Sequence, residues 1–411
     1  MIARADTVLE LGRERIASPR AAGVVGIFLG LFAFWLALPP VAARSVVVPV
    51  VVGVVAIAIG LWVVSRGDVR VGWGAVAAGI VGILGGAFAT RAATSHLDAV
   101  ITWSALVAAT LRFATPLTFA AIGGMFSERS GVVNIGLEGM MLMGAFFGAW
   151  GADVTNSWLG GLLVGMGFGA ALALVHAIFS IHLRSDQIVS GTAVNFLALG
   201  ITGYFFIDIY GNNGTPDNLA GIPDVHLSFL GHIPPHGLGS FLEDSFGQLN
   251  FMVWLSLALL VASYVVMFKT PLGLRIRSVG EHPRAADTVG VSVYWIRYAC
   301  VTASGALAAL GGVFLSIGFV HSFSENMTAG RGFIALAALI FGRWRPFGAF
   351  GAALLFGFAS AVAPRLENVE GWANYGTLFQ ALPYVLTLIA VAGVIGRSVP
   401  PAASGRPYEK Q

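Results

Sequence analysis

Long apolar segments recur along the whole chain and are separated by short polar stretches. A helix that crosses the ~30 Å hydrocarbon core of a bilayer needs about 20 mostly apolar residues, which is the length of these segments. None of them alternates apolar and polar residues as membrane β-strands do. The pattern therefore predicts an all-α fold, a polytopic transmembrane helical bundle of about twelve spans (range ten to twelve). The predicted spans are 21–43, 46–65, 71–90, 101–126, 132–151, 157–182, 187–210, 249–268, 293–318, 328–342, 346–363 and 380–397.

The basic residues are distributed unequally between the two predicted sides of the membrane. With a cytoplasmic N-terminus, 18 of the 23 Lys and Arg residues fall in cytoplasmic segments. The long segment 211–248 has no Lys or Arg and carries four acidic residues. Because Lys and Arg are enriched in cytoplasmic loops, both termini are predicted to be cytoplasmic, with loop 211–248 periplasmic and loop 269–292 cytoplasmic.

Composition excludes several classes of protein. Hydrophobic residues make up 57% of the 411 residues and charged residues only 10%, whereas soluble domains average about 25% charged residues. A soluble enzyme, a disordered protein and a nucleic-acid-binding protein are therefore excluded. The single cysteine, Cys300, leaves no internal disulfide and no Cys-rich metal site. Neither of the two lysines lies in a P-loop motif, so we expect no ATP hydrolysis by this chain. The sequence also has no HExxH and no GxSxG motif, and we expect no catalytic residues, no cofactor and no metal.

A few polar residues lie within the predicted spans, where they are costly unless they face a partner or a cavity. Asn134 and Glu138 are four residues apart and are predicted to share a helix face in span 132–151. Arg112 lies in the preceding span, within reach of Glu138 if the two spans are antiparallel neighbours, and Asn195 lies in span 187–210. Two interpretations remain open. These side chains either hold the bundle together or line a polar path for a hydroxyl-rich solute.

Loop 269–292 contains a predicted short helix. Pro283 suits the first helical turn and Gly290 suits the end, so the sequence between them predicts a short amphipathic helix exposed to the cytoplasm. The loop is either a solvated connection or a docking element for a cytoplasmic partner.

Four stretches, in the same order along the chain, carry a family resemblance. They are TLRFATPLTFAAIGGMFSERSGVVNIGLEGMMLMGAFFGAW within 110–151, SDQIVSGTAVNFLALGIT at 185–202, GLRIRSVGEHPRAADTVGV at 273–291 and GRGFIALAALIFGRWRPFGAFGAALLFG at 330–357. They resemble the permease subunits of bacterial ABC importers of the ribose, simple-sugar and branched-chain amino acid class, and are most similar to the nucleoside-importing members. The resemblance covers roughly residues 100–397.

The resemblance implies a permease that translocates nucleosides or related ribosides by alternating access, with simple sugars of the ribose or galactose type as the alternative. It implies three partners: a paralogous permease, a cytoplasmic ABC ATPase subunit and an extracytoplasmic solute-binding lipoprotein. It also implies the bacterial cytoplasmic membrane as the location. An ion-coupled secondary transporter, for which Glu138 and Asp208 are the candidate ion-binding residues, and an intramembrane enzyme are the less favoured alternatives.

The resemblance also divides the chain and suggests site residues. Residues 1–95 are an N-terminal extension with about three spans, 96–400 are the permease core and 401–411 are a cytoplasmic tail. The family's ATPase-coupling loop maps onto Gly280, Glu281, Pro283, Arg284, Ala285 and Ala286. The candidate substrate-path residues are Asn134, Glu138, Asn195 and Arg112.

Overall fold

The structure is a computed structural model that describes residues 19–36, 45–91, 102–211, 214–216, 219–233, 236–367, 376–381 and 398–410. These residues are helical almost throughout, apart from connections and one small sheet. The chain divides into two compact units. The first comprises residues 1–106 and 362–396, and the second comprises residues 107–361 and 397–411.

In the first unit, three helices pack closely through small residues: α1 (Pro19–Trp35), α2 (Val47–Ser65) and α3 (Val69–Arg91). Gly30 of α1 lies so close to the backbone of Ala78 in α3 that a Cβ atom on Gly30 would collide with it. Such approach of backbones is how helices gain van der Waals contact in lipid. The outward faces are apolar, with Phe28 67% exposed and Leu84 65% exposed. These faces suit contact with lipid chains.

Eleven further described helices lie wholly or mostly in the second unit. They are α4 (Trp103–Arg129), α5 (Leu137–Thr155), α6 (Trp158–Ala177), α7 (Gln187–Tyr210), α8 (His236–Phe246), α9 (Phe251–Lys269), α10 (Pro271–Glu281), α11 (Pro283–Thr288), α12 (Val293–Val313), α13 (Arg331–Phe341) and α14 (Pro346–Glu367). A π-helical turn extends α6 over Ile178–His182, and another extends α12 over Phe314–Val320. A final helix, α15 (Gly376–Gln380), belongs to the first unit.

Helix α5 lies at the centre of the second unit. Fifteen of its 19 residues are buried, and it packs against both α6 and α12. Glycines permit this packing, since a Cβ atom on Gly144 would collide with the backbone of Ala309 in α12. By contrast, the apolar side chains of α7 are largely exposed, with Phe196 at 69%. The second unit therefore has a buried central helix and an apolar outer surface, as expected of a membrane bundle.

The described helices confirm a polytopic helical bundle. Within the described ranges, eight helices are long and apolar enough to cross a membrane, and α1 and α13 are shorter apolar helices. Helix α13 replaces the predicted span 328–342 and has 11 residues. At 1.5 Å per residue it is about 16 Å long, which is half of a bilayer core. The predicted span 21–43 is represented by α1 up to Trp35, and the predicted span 380–397 lies almost wholly outside the described residues.

The prediction of one helix over 132–151 is wrong at its N-terminal end. Helix α4 ends at Arg129 and α5 begins only at Leu137, so residues 130–136 form a non-helical connection. Asn134 lies in this connection and Glu138 lies in the first turn of α5, so the two residues do not share a helix face. The prediction rested on apolar composition. Composition carries no information about where side chains from other helices bind the backbone and end its helical hydrogen bonding.

A polar region between α7 and α9 contains the sheet. Strands β1 (Asp224–His226) and β2 (Gln248–Asn250) pair antiparallel, with Asp224 opposite Asn250. The side chain of Asn250 accepts a hydrogen bond from the Met252 amide, 3.0 Å away, and so caps α9. Its amide group also donates to the Ile222 carbonyl at 2.8 Å. This region is thereby fixed to the end of a long apolar helix.

Candidate functional site

The α4–α5 connection (residues 130–136) is mostly buried, and its backbone is held by side chains from other helices. The Val133 amide donates to Oε1 of Gln187 at 2.7 Å, and the Val133 carbonyl accepts from Nε2 of His176 at 3.0 Å. Since a carbonyl only accepts, Nε2 of His176 carries the proton, and in the neutral ring Nδ1 accepts from the Ser190 hydroxyl at 3.1 Å. Buried backbone groups need such partners because no water is available to replace them.

Asn195 of α7 holds the last part of the same connection. Its Oδ1 accepts from the Gly139 amide at 2.7 Å, and its Nδ2 donates to the Ile135 carbonyl at 3.0 Å. One amide side chain thus supplies both an acceptor and a donor to the backbone around the start of α5. Both polar atoms of Asn195 are occupied by the bundle itself.

Asn134 is fully buried in the connection. Its Nδ2 donates to the Ser304 hydroxyl of α12 at 3.0 Å. Ser304 lies about 16 Å along the α12 axis from Val293, at 1.5 Å per residue, so this contact is deep within the bundle. The Oδ1 atom of Asn134 is buried without a hydrogen-bond partner among the described residues. Of the substrate-path candidates, Asn134 therefore retains a buried acceptor that the described residues do not use.

Glu138 caps the short helix α13. Its Oε1 accepts from the Gly330 amide at 2.8 Å and its Oε2 accepts from the Gly332 amide at 2.6 Å. The first amides of a helix lack partners within the helix and carry partial positive charge, so a carboxylate is well suited to this place. Gly330 has a φ of +84°, and a Cβ on Gly332 would collide with the Glu138 backbone, so glycine suits both positions. The buried carboxylate of Glu138 thus stabilises a helix that begins inside the bundle.

Arg112 does not pair with Glu138. Its Nη2 donates instead to the Gln248 carbonyl of β2 at 2.7 Å. The prediction of an Arg112–Glu138 ion pair is therefore wrong, because each group binds backbone from a distant part of the chain. The structure brings Asn134, Glu138 and Asn195 to the region around the start of α5, while Arg112 contacts the sheet. Sequence reasoning missed His176, Gln187 and Ser304 as partners of the connection, although polar residues on otherwise apolar helices were a usable signal.

Loop 269–292 consists mainly of α10 and α11. Pro283 begins α11 and Gly290, with a φ of +83°, lies just beyond its end, as predicted. A Cβ on Gly280 would collide with the Arg129 carbonyl, so this glycine permits α10 to approach the end of α4. Ala286 is buried, whereas Arg284 and Ala285 are exposed. The loop therefore has one face packed on the bundle and one face open to solvent.

The C-terminal segment (residues 398–410) packs against this loop. The Ala403 amide donates to the Gly280 carbonyl at 2.9 Å, and the Ala402 amide donates to Oε2 of Glu281 at 3.2 Å. The hydroxyl of Tyr408 donates to Oδ2 of Asp287 at 2.8 Å. Burial and this hydrogen bond raise the pKa of Tyr408 to about 12, so the hydroxyl keeps its proton at neutral pH.

The loop and the C-terminal segment form the two sides of an open cleft of about 600 Å³. The loop contributes Glu281, His282, Pro283, Arg284 and Ala285 to its lining, and the C-terminal segment contributes Ala402, Ala403, Arg406, Pro407, Tyr408 and Glu409. Glu409 pairs with Arg184 at 2.6 Å. Four of the six predicted coupling residues thus line one cleft, and the other two, Gly280 and Ala286, pack beneath it.

Within the described ranges, no three His, Cys, Asp or Glu side chains are grouped as metal ligands. Most polar groups around the start of α5 bind other groups of the bundle, whereas the charged residues that line the cleft are exposed.

Comparison with known proteins places the chain in a family. A family model described as the permease component of the branched-chain amino acid transport system matches residues 106–391. The chain belongs to this family. The permease is therefore a multi-pass membrane transport protein rather than an enzyme, and its relatives are components of ABC transporters. The match begins at residue 106, so α1, α2 and α3 lie outside it.

Several curated relatives resemble the permease over most of their length. The guanosine ABC transporter permease protein NupQ of Bacillus subtilis is 44% identical over 76% of this chain and 99% of its own. The nucleoside ABC transporter permease protein NupC of Lactococcus lactis is 38% identical over the same shares. The putative glucose ABC transporter permease protein TsgC13 of Haloferax volcanii is 36% identical over 64% of this chain and 78% of its own. No solved structure matches the permease.

Proposed function

We propose that the permease is the membrane-spanning subunit of an ATP-driven importer that translocates nucleosides or related ribosides into the cytoplasm. The observation that carries this proposal is the 44% identity to a guanosine permease across 99% of that relative. Simple sugars are the second candidate substrate class, supported by the 36% identity to a putative glucose permease. The sugar relative matches over less of its length, so nucleosides are favoured.

The proposed setting is the bacterial cytoplasmic membrane, with ten to twelve crossings and both termini in the cytoplasm. The unequal distribution of Lys and Arg supports this orientation. Loop 211–248, which has no basic residue, then faces the periplasm, and loop 269–292 faces the cytoplasm. In this proposal residues 1–95 are an N-terminal extension with about three spans, residues 96–400 are the core and residues 401–411 are a cytoplasmic tail; the start of the family match at residue 106 supports the first boundary.

The proposed energy source is a separate cytoplasmic ATPase subunit, because neither lysine of this chain lies in a P-loop motif. Its docking site is the coupling loop, with Arg284 and Ala285 on the exposed face and Gly280 and Ala286 packed on the bundle. ATP binding closes the ATPase modules, and the coupling loop transmits this movement to the spans. A second, similar permease and an extracytoplasmic solute-binding lipoprotein complete the importer.

The proposed substrate path includes Asn134, which has a buried carboxamide oxygen without a partner among the described residues. Nucleosides carry hydroxyl and amino groups that can donate a hydrogen bond to such an oxygen. Glu138, Asn195 and Arg112 then act as positioning residues, since their hydrogen bonds go to backbone groups of the bundle. In this proposal they fix the backbone beside the path.

Uptake of labelled nucleosides tests the substrate class. Cells that lack this gene should lose accumulation of guanosine or inosine, and re-expression of the intact chain should restore it. Ribose and glucose uptake, measured in the same cells, are the controls and should not change. Unchanged nucleoside uptake together with lost sugar uptake would replace the first candidate by the second.

A further inference from the structure

The C-terminal segment is fixed to the coupling loop by contacts along its length. Backbone amides of Ala402 and Ala403 bind the end of α10, and the Tyr408 hydroxyl binds Asp287 of α11. The Tyr408 ring also packs edge-on against Tyr294 of α12, with ring centroids 5.5 Å apart. A segment held at both ends in this way moves with the coupling loop.

A buried guanidinium strengthens this attachment. Arg297 of α12 is 1% exposed, and its Nη1 donates to the Arg406 carbonyl at 3.1 Å. Its Nε and Nη2 have no partner among the described residues, so the Arg406 carbonyl is important for satisfying this group. Displacing the C-terminal segment would remove an acceptor from a buried cation, which costs free energy. The segment is therefore part of the folded surface.

The acidic side chains that line the cleft have hydrogen-bond partners within the permease, whereas two of its arginine side chains have none among the described residues. Glu281 accepts the Ala402 amide and Glu409 pairs with Arg184, so both carboxylates already bind within the permease. The guanidinium groups of Arg284 and Arg406, both exposed, donate no hydrogen bond to a described residue. The cleft thus offers two available cationic groups, one from the loop and one from the C-terminal segment. The lining also contains Glu281 and Glu409, so these two arginines, and not the net charge of the cleft, are complementary to a carboxylate.

We propose that the C-terminal segment forms one wall of the ATPase-docking cleft, and that the docked part of the ATPase presents a carboxylate to Arg284 and Arg406. This inference rests on the proposed function and extends the docking site beyond the coupling loop. The docking surface then comprises two chain segments about 120 residues apart in sequence. Movement of the ATPase would act on α10, α11 and the end of the chain together.

Cross-linking tests contact directly. The single cysteine, Cys300, is buried, so an introduced exposed cysteine is the accessible thiol. In membranes containing the complete importer, Arg406→Cys and Ala285→Cys, each labelled with a maleimide–benzophenone, should both cross-link to the ATPase subunit on irradiation, since the photoactivated benzophenone needs no thiol on its partner. Ser228→Cys, in the loop proposed to face the periplasm, is the control and should not. Cross-linking from Ala285→Cys alone would overturn the inference but keep the coupling-loop proposal, whereas none from either position would overturn both.

Reversing the charge of Arg406 tests whether the ATPase presents a carboxylate to the cleft. Arg406→Glu keeps the backbone carbonyl that binds Arg297, so the melting temperature of the purified permease should not change. Like charges in the cleft should lower substrate-stimulated ATP hydrolysis about tenfold, which corresponds to about 1.4 kcal/mol. Lys410→Glu, in the same segment but outside the cleft lining, is the matched control and should retain activity. Equal activities of the two variants would overturn the proposed charge recognition. Restored activity with a compensating Asp→Lys or Glu→Lys change in the ATPase would support it.

Discussion

The polar residues around the start of α5 and those of the coupling-loop cleft are used in different ways. Around α5, the side chains of Glu138 and Asn195 bind backbone groups of the same chain. In the cleft, Arg284 and Arg406 are exposed and donate no hydrogen bond to a described residue. Both regions are polar parts of a mainly apolar protein. Their hydrogen-bond partners, not their polarity, distinguish a group that holds the fold from one that is available to a partner.

The difference follows from where water is available. Residues 130–136 and the start of α13 leave helical hydrogen bonding inside the bundle, so their amides and carbonyls need partners from the protein. Glu138, Asn195, Gln187 and His176 supply these partners. The cleft is open to solvent, so its arginines remain hydrated until a partner replaces the water. Substitutions in the buried region should therefore lower the stability of the fold. Substitutions in the cleft should instead lower the coupling of ATP hydrolysis to transport.

Replacing Glu138 should give the largest effect. Glu138→Leu removes two charge-assisted hydrogen bonds from the start of α13, and each such bond contributes about 1.5–3 kcal/mol. We expect the melting temperature of the detergent-solubilised permease to fall by several degrees, with loss of transport. The melting temperature of Glu138→Gln, which retains an acceptor oxygen, should fall less. If Glu138→Leu kept the normal melting temperature but lost nucleoside transport, Glu138 would be a substrate-path residue and the comparison would fail.

Replacing Asn195 should give a smaller loss of stability. Asn195→Leu leaves the Gly139 amide and the Ile135 carbonyl without their partner, at a cost of about 1–3 kcal/mol. Thr192→Val on the same helix is the matched control, since among the described residues the Thr192 hydroxyl bonds only to the Ile188 carbonyl of its own helix. Thermal unfolding of both variants measures the difference. Equal melting temperatures would mean that Asn195 does not stabilise the α4–α5 connection.

Replacing Tyr408 should give the smallest effect on stability. Tyr408→Phe keeps the ring against Tyr294 and removes the hydrogen bond to Asp287, which contributes about 0.5–1.5 kcal/mol. We expect a slight fall in melting temperature and a larger relative fall in ATP-coupled uptake in proteoliposomes. Asp287→Asn, which retains an acceptor, should behave more nearly like the native protein. A variant with a lower melting temperature and fully normal coupling would show that this contact only stabilises the fold.

The sequence predicted α11 well because the signals for its ends are local. Pro283 favours the first turn of a helix through its fixed φ, and Gly290 tolerates the positive φ just beyond the end. Span 132–151 was predicted less well. Its residues are mainly apolar, but α5 begins only at Leu137, because side chains from α6 and α7 bind the backbone groups that lack helical partners. No local pattern contains that information.

Apolar length alone determined that this protein is a helical membrane bundle, because a bilayer requires helices of about 20 apolar residues and excludes unpaired backbone. Four ordered stretches of sequence also determined its family, which the family match confirms. Tertiary structure decided which polar atoms are used. Glu138 caps a helix 192 residues further along the chain, Arg112 binds the sheet, and the C-terminal segment forms a wall of the cleft. Such partners are chosen by packing between distant segments, which sequence periodicity does not specify.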